Sequence, residues 1–237
     1  MGVQLIVVAK EPIPGRVKTR LTPPYSPAEA AELATASIAD TLTSVITAVL
    51  LAPRRGLAVE PVLALDGSAG PWLWNTCPGA RDVRIIAQPT GGLDVRLAAA
   101  FDDATADSPG NHAFLIGMDT PQLTPENLLD AMENLARPDT DAVLGLADDG
   151  GWWGLGLKQA DASLLLGVPM STVDTGRAQY QRLRSAGLAV GLLPVMRDID
   201  TARDAAHVAA AAPYSQFAAA FIRMALARMA PALPVAS

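Results

Sequence analysis

Residues 5–21 read LIVVAKEPIPGRVKTRL, an apolar run that passes directly into a basic loop. Residues 5–9 are apolar and rich in valine, which is the pattern of a strand buried on both faces of a parallel sheet. The loop then carries Lys10, Arg16, Lys18 and Arg20, although the whole chain has a formal charge of −6. A concentration of cationic donors that opposes the overall charge predicts a site for a small anion.

The composition excludes several classes of protein. The chain has 237 residues, half of them apolar, which is enough for one sizeable core. No uninterrupted apolar stretch approaches the roughly 18–20 residues of a membrane span, and the apolar start lacks the pattern of a signal peptide. The single cysteine, Cys77, allows no internal disulfide, and an acidic chain with a pI near 4.9 is unlike a broad nucleic-acid surface. We therefore expect a cytoplasmic protein whose partners are neither nucleic acids nor membranes.

Strand and helix patterns alternate along the chain. Ser26, Pro27 and Glu29 supply the N-cap, first-position proline and capping-box glutamate of a helix that reaches about residue 51. Further strands are predicted at residues 59–65, 83–87, 112–117, 141–147, 152–157 and 189–193. Further helices are predicted at residues 93–106, 125–136, 175–186 and from residue 202 onward. The alternation predicts an α/β domain with a mostly parallel sheet over residues 1–212, followed at 213–237 by a docking helix and a tail frayed after residue 231.

Polar side chains stand where these strands end. Lys10, Gln88, Asp119 and Asp149 each follow a predicted strand directly, and Asp200 closes the loop after another. Ligands of open α/β sheets bind beyond the carboxyl ends of the strands. We therefore expect these residues to surround a ligand site.

The basic loop has two interpretations. Gly15 allows the backbone to approach a ligand, and Pro12 and Pro14 stiffen the loop, which lowers the entropy lost on binding phosphate. The alternative is a solvated basic turn. The position after the first strand favours a phosphate site, although the Walker pattern and G-x-G-x-x-G are both absent.

Two acidic motifs are candidates for a metal site. Asp119, in GMDTP, ends a predicted strand where Mg²⁺ could bridge a carboxylate and nucleotide phosphates; the alternative is a helix cap or a turn. Asp198 and Asp200, in RDIDTARD, are informative only if the fold brings them near Asp119, because Asp200-Thr201 could equally cap the next helix.

The stretch DDGGWW at residues 148–153 places a carboxylate, two glycines and two indoles at a strand end. We expect Trp153 to pack in the core, whereas Trp152 is left open between core packing and contact with a ligand. His112 and His207 are isolated, and neither G-x-S-x-G nor H-E-x-x-H occurs, so catalytic histidine chemistry is not expected.

Five segments together resemble one protein family. In order they are VVAKEPIPGRVKTRLTP, QPTGGLDVRLAAAF, LIGMDTPQLTPENL, AVLGLADDGGWWGLGL and LPVMRDIDTARD. They resemble the glycosyltransferase-A-like proteins of domain of unknown function 2064, a family that is similar to the guanylyltransferases that activate phospholactate. The resemblance reaches about residue 204. It implies the nucleotide-diphospho-sugar transferase (GT-A) fold, a three-layer α/β/α sandwich, with a nucleotide over the first strands and a divalent metal, Mg²⁺ or Mn²⁺.

The resemblance also implies roles for single residues. Five residues of the basic loop would hold the nucleotide phosphates: Lys10, Gly15, Arg16, Lys18 and Arg20. Gln88 and Gly91 would lie near the base or ribose, Asp119 would be the principal metal ligand and Asp200 the second. Lys18, Arg20 and Asp119 are the candidate catalytic residues.

The acceptor would lie against Asp149, Gly150 and Trp152. Here the chain departs from the family, because Trp152 stands where a tyrosine usually follows DGG. Residues 91–94 also depart from it, reading Gly-Gly-Leu-Asp where the family usually reads Gly-Asp-Leu-Gly. The departure at Trp152 predicts an altered acceptor pocket.

Two transfer reactions fit such a site. We favour nucleotidyl transfer from a nucleoside triphosphate to a small phosphorylated or similar anionic acceptor, because departing pyrophosphate concentrates charge that the basic loop could stabilise. Glycosyl transfer from a nucleotide sugar is the alternative. It is disfavoured because Met118-Asp119-Thr120 lacks the Asp-x-Asp of many metal-using glycosyltransferases. A nucleotide-binding protein without turnover is a third hypothesis, and a homodimer is left open.

Overall fold

The computed structural model describes residues 2–107 and 112–229. In these residues seven strands form one sheet in the order β3-β2-β1-β4-β6-β5-β7. The strands are β1 (Gly2–Lys10), β2 (Ala58–Asp66), β3 (Arg84–Ala87), β4 (His112–Gly117), β5 (Ala142–Ala147), β6 (Trp152–Leu157) and β7 (Val190–Met196). The helices are α1 (Pro27–Leu51), α2 (Pro71–Thr76), α3 (Leu93–Thr105), α4 (Pro125–Ala136), α5 (Thr175–Ser185), α6 (Ala202–Ala211) and α7 (Gln216–Met229).

Helices cover both faces of the sheet, so the three-layer α/β/α sandwich is confirmed. Successive side chains of β1 pack on opposite faces of the sheet, and both faces are covered, which explains why its apolar run is continuous. Leu5 and Val7 pack in a cluster with residues of α1 and α4, whereas Ile6 packs on the other face with residues of α3. A third cluster joins α1 to α6 and α7.

Every strand pairing is parallel except those of β6, which runs antiparallel to both β4 and β5. The predicted, mostly parallel sheet is therefore confirmed. The exception follows from chain length, because residues 148–151 between β5 and β6 are far too few for the crossover that a parallel pair requires.

The sheet also fixes where a ligand can enter. β1 pairs with β2 on one side and with β4 on the other, so the connections that leave β1 and β4 diverge at their carboxyl ends. Such a switch point opens a crevice at the edge of a parallel sheet. Arg20, from the loop beyond β1, and Met118 and Asp119, beyond β4, line this crevice.

Some local features were not predicted. The short helix α2 and four 3₁₀ helices, at Thr19–Leu21, Ala52–Arg55, Pro78–Asp82 and Ala162–Leu164, occupy stretches for which the sequence pattern predicts no helix or strand. β7 continues to Met196, three residues beyond its predicted end, because Ala147 of β5 still pairs with Met196 across an irregularity.

The C-terminal helix α7 docks on the core. Phe217 and Met224 of α7 are buried in the cluster shared with α1. Asp40 of α1 accepts hydrogen bonds from the main-chain N–H groups of Gln216 (2.9 Å) and Phe217 (2.8 Å) and thereby caps α7. The predicted fraying after residue 231 lies outside the described residues, and the division between residues 1–212 and 213–237 stays a prediction.

Among the residues that the structure describes, one helical segment, Pro27–Arg55, is long and apolar enough to cross a membrane by length and composition alone. However, 56% of its most apolar window is buried inside the protein. That burial is typical of a core helix, and α1 does contribute to two of the hydrophobic clusters.

Candidate functional site

Lys18 turns the basic loop inward. Its backbone adopts the left-handed conformation (φ 48), which is uncommon for lysine. Its side chain is only 11% exposed, with Nζ 2.7 Å from Oδ1 of Asp119. The same ammonium group donates a hydrogen bond to the carbonyl of Ile199. One side chain therefore joins the loop after β1 to the end of β4 and to the segment before α6.

Arg20 pairs with the second predicted metal ligand. Nη1 of Arg20 lies 2.7 Å from Oδ2 of Asp200. Thr201, not Asp200, is the N-cap of α6, since Thr201 and Asp204 form a reciprocal capping box. The predicted cap at Asp200-Thr201 is therefore provided by Thr201, and the carboxylate of Asp200 is directed to Arg20.

The acidic residues meet at one cleft of about 540 Å³. Asp119, Asp149, Asp198 and Asp200 all line it, together with Arg20. The main chain helps to assemble the group, because the N–H of Ile199 donates to the carbonyl of Asp119 (3.0 Å). Residues from three different strand ends are thus brought within one crevice.

The carboxyl group of Asp198 has a shifted pKa. Burial is the main cause that raises the pKa of its carboxyl to about 6, and the negative charges of Asp149 and Asp119 raise it further. Crowded carboxylates resist ionisation together unless a cation joins them. The site is therefore electrostatically suited to a cation.

We expect Asp198→Asn to stabilise the metal-free protein at pH 8 by about 1–2 kcal/mol after allowance for solvent screening. The folded-state pKa of Asp198, about 6, lies above the ordinary value of 3.8. Stability is therefore lost as the pH rises from about 4 to 6, and the full penalty applies above that range. Urea unfolding in EDTA at pH 8 and at pH 4.5 would measure the difference; an equal effect at both pH values would contradict this assignment.

The turn that carries Asp149 is tightly fixed. Oδ1 of Asp149 accepts a hydrogen bond from the N–H of Gly151 (2.7 Å). Arg197 holds the preceding carboxylate, since its Nε and Nη2 each lie 3.1 Å from Oδ2 of Asp148. Gly150 has φ +90 and leaves no room for a side chain, because a Cβ there would fall on the main chain of Val173.

We expect Gly150→Ala to destabilise the protein by more than 2 kcal/mol, because the added methyl meets rigid main chain in a conformation that alanine avoids. Gly15→Ala is the matched control. Gly15 has a similar φ of +77, but a Cβ there has nothing within 4 Å, so only the backbone strain should appear. Thermal unfolding of the two variants measures the difference, and equal losses would show that the contact with Val173 is unimportant.

Two other residues predicted to contact the nucleotide, Lys10 and Gln88, make their contacts outside this cleft. Nζ of Lys10 is 3.7 Å from Oδ2 of Asp66. Nε2 of Gln88 donates to the carbonyls of Ala9 (2.9 Å) and Ala64 (2.7 Å), so its amide joins β1 to β2. These residues do not line the cleft.

Gly15 and Arg16 are exposed in the basic loop. Gly91 has φ +141, and a Cβ there would crowd Val95. The departure at residues 91–94 has a structural use, because Asp94 accepts a hydrogen bond from the N–H of Gly167 (3.0 Å). That bond ties the start of α3 to the segment between β6 and α5.

The two tryptophans of DDGGWW have different surroundings. Trp153 is 4% exposed, stacks edge-on against Phe114 and donates its indole N–H to the carbonyl of Pro194 (2.9 Å), which confirms the predicted core role. Trp152 is half-buried and lines the cleft. The structure thus places Trp152 beside Asp149, where the acceptor is predicted.

The donor set fits a hard divalent cation. Oδ1 of Asp119 is buried without a hydrogen bond; its contact is the ion pair with Lys18, whose geometry is not that of a hydrogen bond. Carboxylate oxygens are the ligands that Mg²⁺ and Mn²⁺ prefer. Within residues 2–107 and 112–229, no three acidic, histidine or cysteine side chains are close enough to form a metal site by themselves. Phosphate and water would have to complete the coordination.

Sequence reasoning missed part of this site. The sequence pattern assigns a metal-ligand role to Asp200 but none to Asp198, although Asp198 lies only two residues before it. Arg197 and the segment 170–175 were not singled out. Their importance depends on contacts with the turn at Asp148 and with the cleft, and no local pattern reports such contacts.

Comparisons with known proteins agree with the fold. Residues 51–172 match the family model described as "Uncharacterized protein conserved in bacteria (DUF2064)". No curated protein matches the chain.

Among solved structures, a protein from Desulfovibrio desulfuricans G20, provisionally described as a nucleotide-diphospho-sugar transferase, has a TM-score of 0.78 at 24% identity, over 96% of this chain and 97% of that one. A 4-diphosphocytidyl-2C-methyl-D-erythritol synthase from Anaerococcus prevotii has a TM-score of 0.52 at 12% identity, over 90% and 95%. A mannosyltransferase from Pyrobaculum calidifontis in complex with GDP-Man and Mn²⁺ has a TM-score of 0.52 at 15% identity, over 98% and 76%. At these identities the likeness concerns the fold.

Proposed function

The chain belongs to the bacterial family DUF2064, and we propose that it is a metal-dependent nucleotidyltransferase. It would transfer a nucleoside monophosphate from a nucleoside triphosphate to a small phosphorylated or similar anionic acceptor, with release of pyrophosphate. Mg²⁺ or Mn²⁺ would be held by Asp119 and Asp200.

The main observation behind this proposal is that two ion pairs lie at one cleft. Lys18 is bound to Asp119 and Arg20 to Asp200, each at 2.7 Å. A metal–triphosphate complex can replace both pairs at once, because the two acids can receive the cation while the two basic side chains receive phosphate oxygens. Positive and negative groups are then paired both before and after binding, which avoids leaving a partly buried charge alone.

The chain's own residues would position the reacting groups. An oxygen of the acceptor attacks the α-phosphorus, the bond from that phosphorus to the α,β-bridging oxygen breaks, and its electron pair leaves with pyrophosphate. Lys18 and Arg20 would stabilise the charge on the leaving group. A divalent metal, when bound, supplies Lewis-acid neutralisation of phosphate charge. Asp149 and Trp152 would face the acceptor, and no protein nucleophile is required.

A second candidate is glycosyl transfer, which one fold neighbour favours. The Pyrobaculum mannosyltransferase is described with a nucleotide sugar and Mn²⁺, so the same fold accommodates that donor. In the present chain, Met118 and Thr120 flank Asp119 and provide no second carboxylate there. Nucleotidyl transfer therefore remains the better supported proposal.

Product identity tests the choice. The purified protein would be incubated with Mg²⁺ or Mn²⁺, a panel of nucleoside triphosphates and a panel of phosphorylated acceptors, and pyrophosphate would be measured. Acceptor-dependent pyrophosphate release is expected. Release of a nucleoside diphosphate from a nucleotide sugar would support glycosyl transfer, and nucleotide binding without any turnover would support a non-catalytic binding protein.

A further inference from the structure

The cleft has a charged mouth and an apolar inner wall. The charged residues Arg20, Asp119, Asp149, Asp198 and Asp200 come from segments beyond strand ends, whereas the apolar residues come mainly from the strands and from α3. Six side chains form this apolar wall: Val8, Leu93, Leu97, Leu115, Trp152 and Met170. The mechanism outlined above uses the mouth and leaves most of the wall without a role.

Open space lies directly against this wall. Gly117, the last residue of β4, lines the cleft on the same face of the sheet as Leu115. A Cβ at Gly117 would meet only the main-chain nitrogen of Asp119, at 3.9 Å. The strand therefore ends with a gap above the sheet in place of a side chain, and the gap adjoins the predicted metal ligand.

Apart from Ser171 and the indole N–H of Trp152, which is buried without a hydrogen-bond partner, the wall offers few polar groups to read the edge of a nucleobase. The hydroxyl groups of Thr172 and Thr175 lie 3.3 Å apart. Thr175 Oγ1 also accepts from the N–H of Thr172 (3.0 Å), and Thr172 Oγ1 accepts from the N–H of Asp174 (3.3 Å). These hydroxyls are occupied in fixing the start of α5. A base bound here would lose its water and gain few hydrogen bonds, which is unfavourable, whereas a hydrocarbon would gain from burial alone.

We propose that the apolar wall binds the hydrocarbon part of the acceptor, so that the acceptor is an amphiphile. Its phosphate or other anionic group would lie at the charged mouth, and an aliphatic or alicyclic body would lie along the wall against Met170, Leu93 and Trp152. This inference rests on the proposed function for the identity of the reacting end. The wall itself is defined by the geometry of the cleft.

Binding of n-alkyl phosphates to the full-length protein in the presence of Mn²⁺ tests the proposal. Titration calorimetry with the methyl, butyl and octyl esters should show affinity rising about three- to fourfold per buried methylene until the wall is covered. Met170→Gln should flatten this dependence by placing an amide on the wall. Gly117→Ala should reduce it by filling the gap, with the affinity for Mn²⁺ unchanged.

Leu166→Gln is the matched control. Leu166 belongs to the same segment between β6 and α5, is 44% exposed and does not line the cleft. Its variant should bind the alkyl series as the wild type does. If all variants retained the same dependence on chain length, the hydrocarbon would bind elsewhere and the proposal would be overturned.

A parallel measurement separates the base from the acceptor. The affinities for ATP and for inorganic tripolyphosphate would be compared in wild type and Met170→Gln. If the wild-type affinity did not depend on alkyl chain length and Met170→Gln selectively lost affinity for ATP, the wall would bind the base and the proposal would be overturned. If the wild-type affinity did not depend on alkyl chain length but the wild type still bound Mn²⁺ and nucleotide, this proposal would also be overturned. The proposed transferase activity would not be contradicted. A chain-length dependence without pyrophosphate release from any pair of substrates would support the amphiphile site and contradict the transferase.

Discussion

Replacing Asp119 with asparagine is expected to lower acceptor-dependent pyrophosphate release by about 10²–10⁴-fold. The carboxylate would be the principal ligand of the divalent metal, and Lewis-acid stabilisation by such a metal contributes several kcal/mol to the transition state. The amide retains the shape of the side chain but lacks its charge. The affinity for Mn²⁺, measured by paramagnetic resonance of the free ion, should fall in parallel.

Asp130→Asn is the matched control for this experiment. Asp130 is also a carboxylate in an ion pair, with Arg55 at 2.6 Å, but its side chain is 60% exposed and does not line the cleft. Its variant should keep wild-type activity and metal affinity. If Asp119→Asn kept the wild-type affinity for both Mn²⁺ and nucleotide, Asp119 would have no part in metal binding.

Replacing Lys18 with methionine is expected to change two affinities in opposite directions. Binding of Mn²⁺ alone should become tighter by a few-fold, because the ammonium that competes for Asp119 is removed; a partly buried pair of this kind is worth about 1 kcal/mol. Binding of the metal-bound triphosphate should weaken by about 10–100-fold, because a charge-assisted contact with phosphate is worth roughly 1.5–3 kcal/mol. Titration calorimetry with Mn²⁺, with ATP and with both together would measure these changes.

Arg54→Met provides the comparison for the loss of a cation. Arg54 is exposed and precedes β2, so it lies at the amino edge of the sheet, opposite the cleft. Neither affinity should change in that variant. If Lys18→Met weakened the binding of Mn²⁺ alone, the lysine would be orienting Asp119 for the metal and would not compete with it, and the exchange of ion pairs would have to be abandoned.

The strands and most helices could be predicted from the sequence because each depends on local chemistry. The apolar run of β1 has no alternative to burial on both faces, and Ser26, Thr124 and Thr201 begin helices with capping patterns that need only neighbouring residues. The antiparallel direction of β6 could also have been read from the length of its connection. Elements with local causes are therefore the ones that sequence reasoning recovers best.

The contacts of the site are different, because they join residues far apart in the chain. Lys18 and Ile199 are 181 positions apart, and Arg20 and Asp200 are 180 apart. The sequence indicated that such groups could meet at the strand ends, but not which cation would face which acid. The cleft wall was beyond reach for a similar reason, since Val8, Leu97 and Met170 belong to three separate segments and each resembles an ordinary core residue.

Gln88 is a residue of a type suited to contact a base, but it has a structural role instead. The amide stands at a strand end, as a group that contacts a base should, yet its donors are directed to the carbonyls of β1 and β2. The side-chain oxygen Oε1 of Gln88 accepts a hydrogen bond from Nη1 of Arg96 at 3.3 Å. A pattern of residue types cannot distinguish these uses, because both place an amide at the same edge of the sheet.

The docking of α7 has a consequence for how the gene can be shortened. The carboxylate of Asp40 that holds the start of α7 belongs to the same helix as Ser37, whose hydroxyl donates to the carbonyl of Met118 at 2.6 Å, immediately before Asp119. Removing residues from 216 onward would leave Asp40 without its main-chain donors and uncover the residues of α1 that pack against α7 in the third cluster. The C-terminal helix is thus connected to the cleft through α1, and an expression tag should be placed after residue 229.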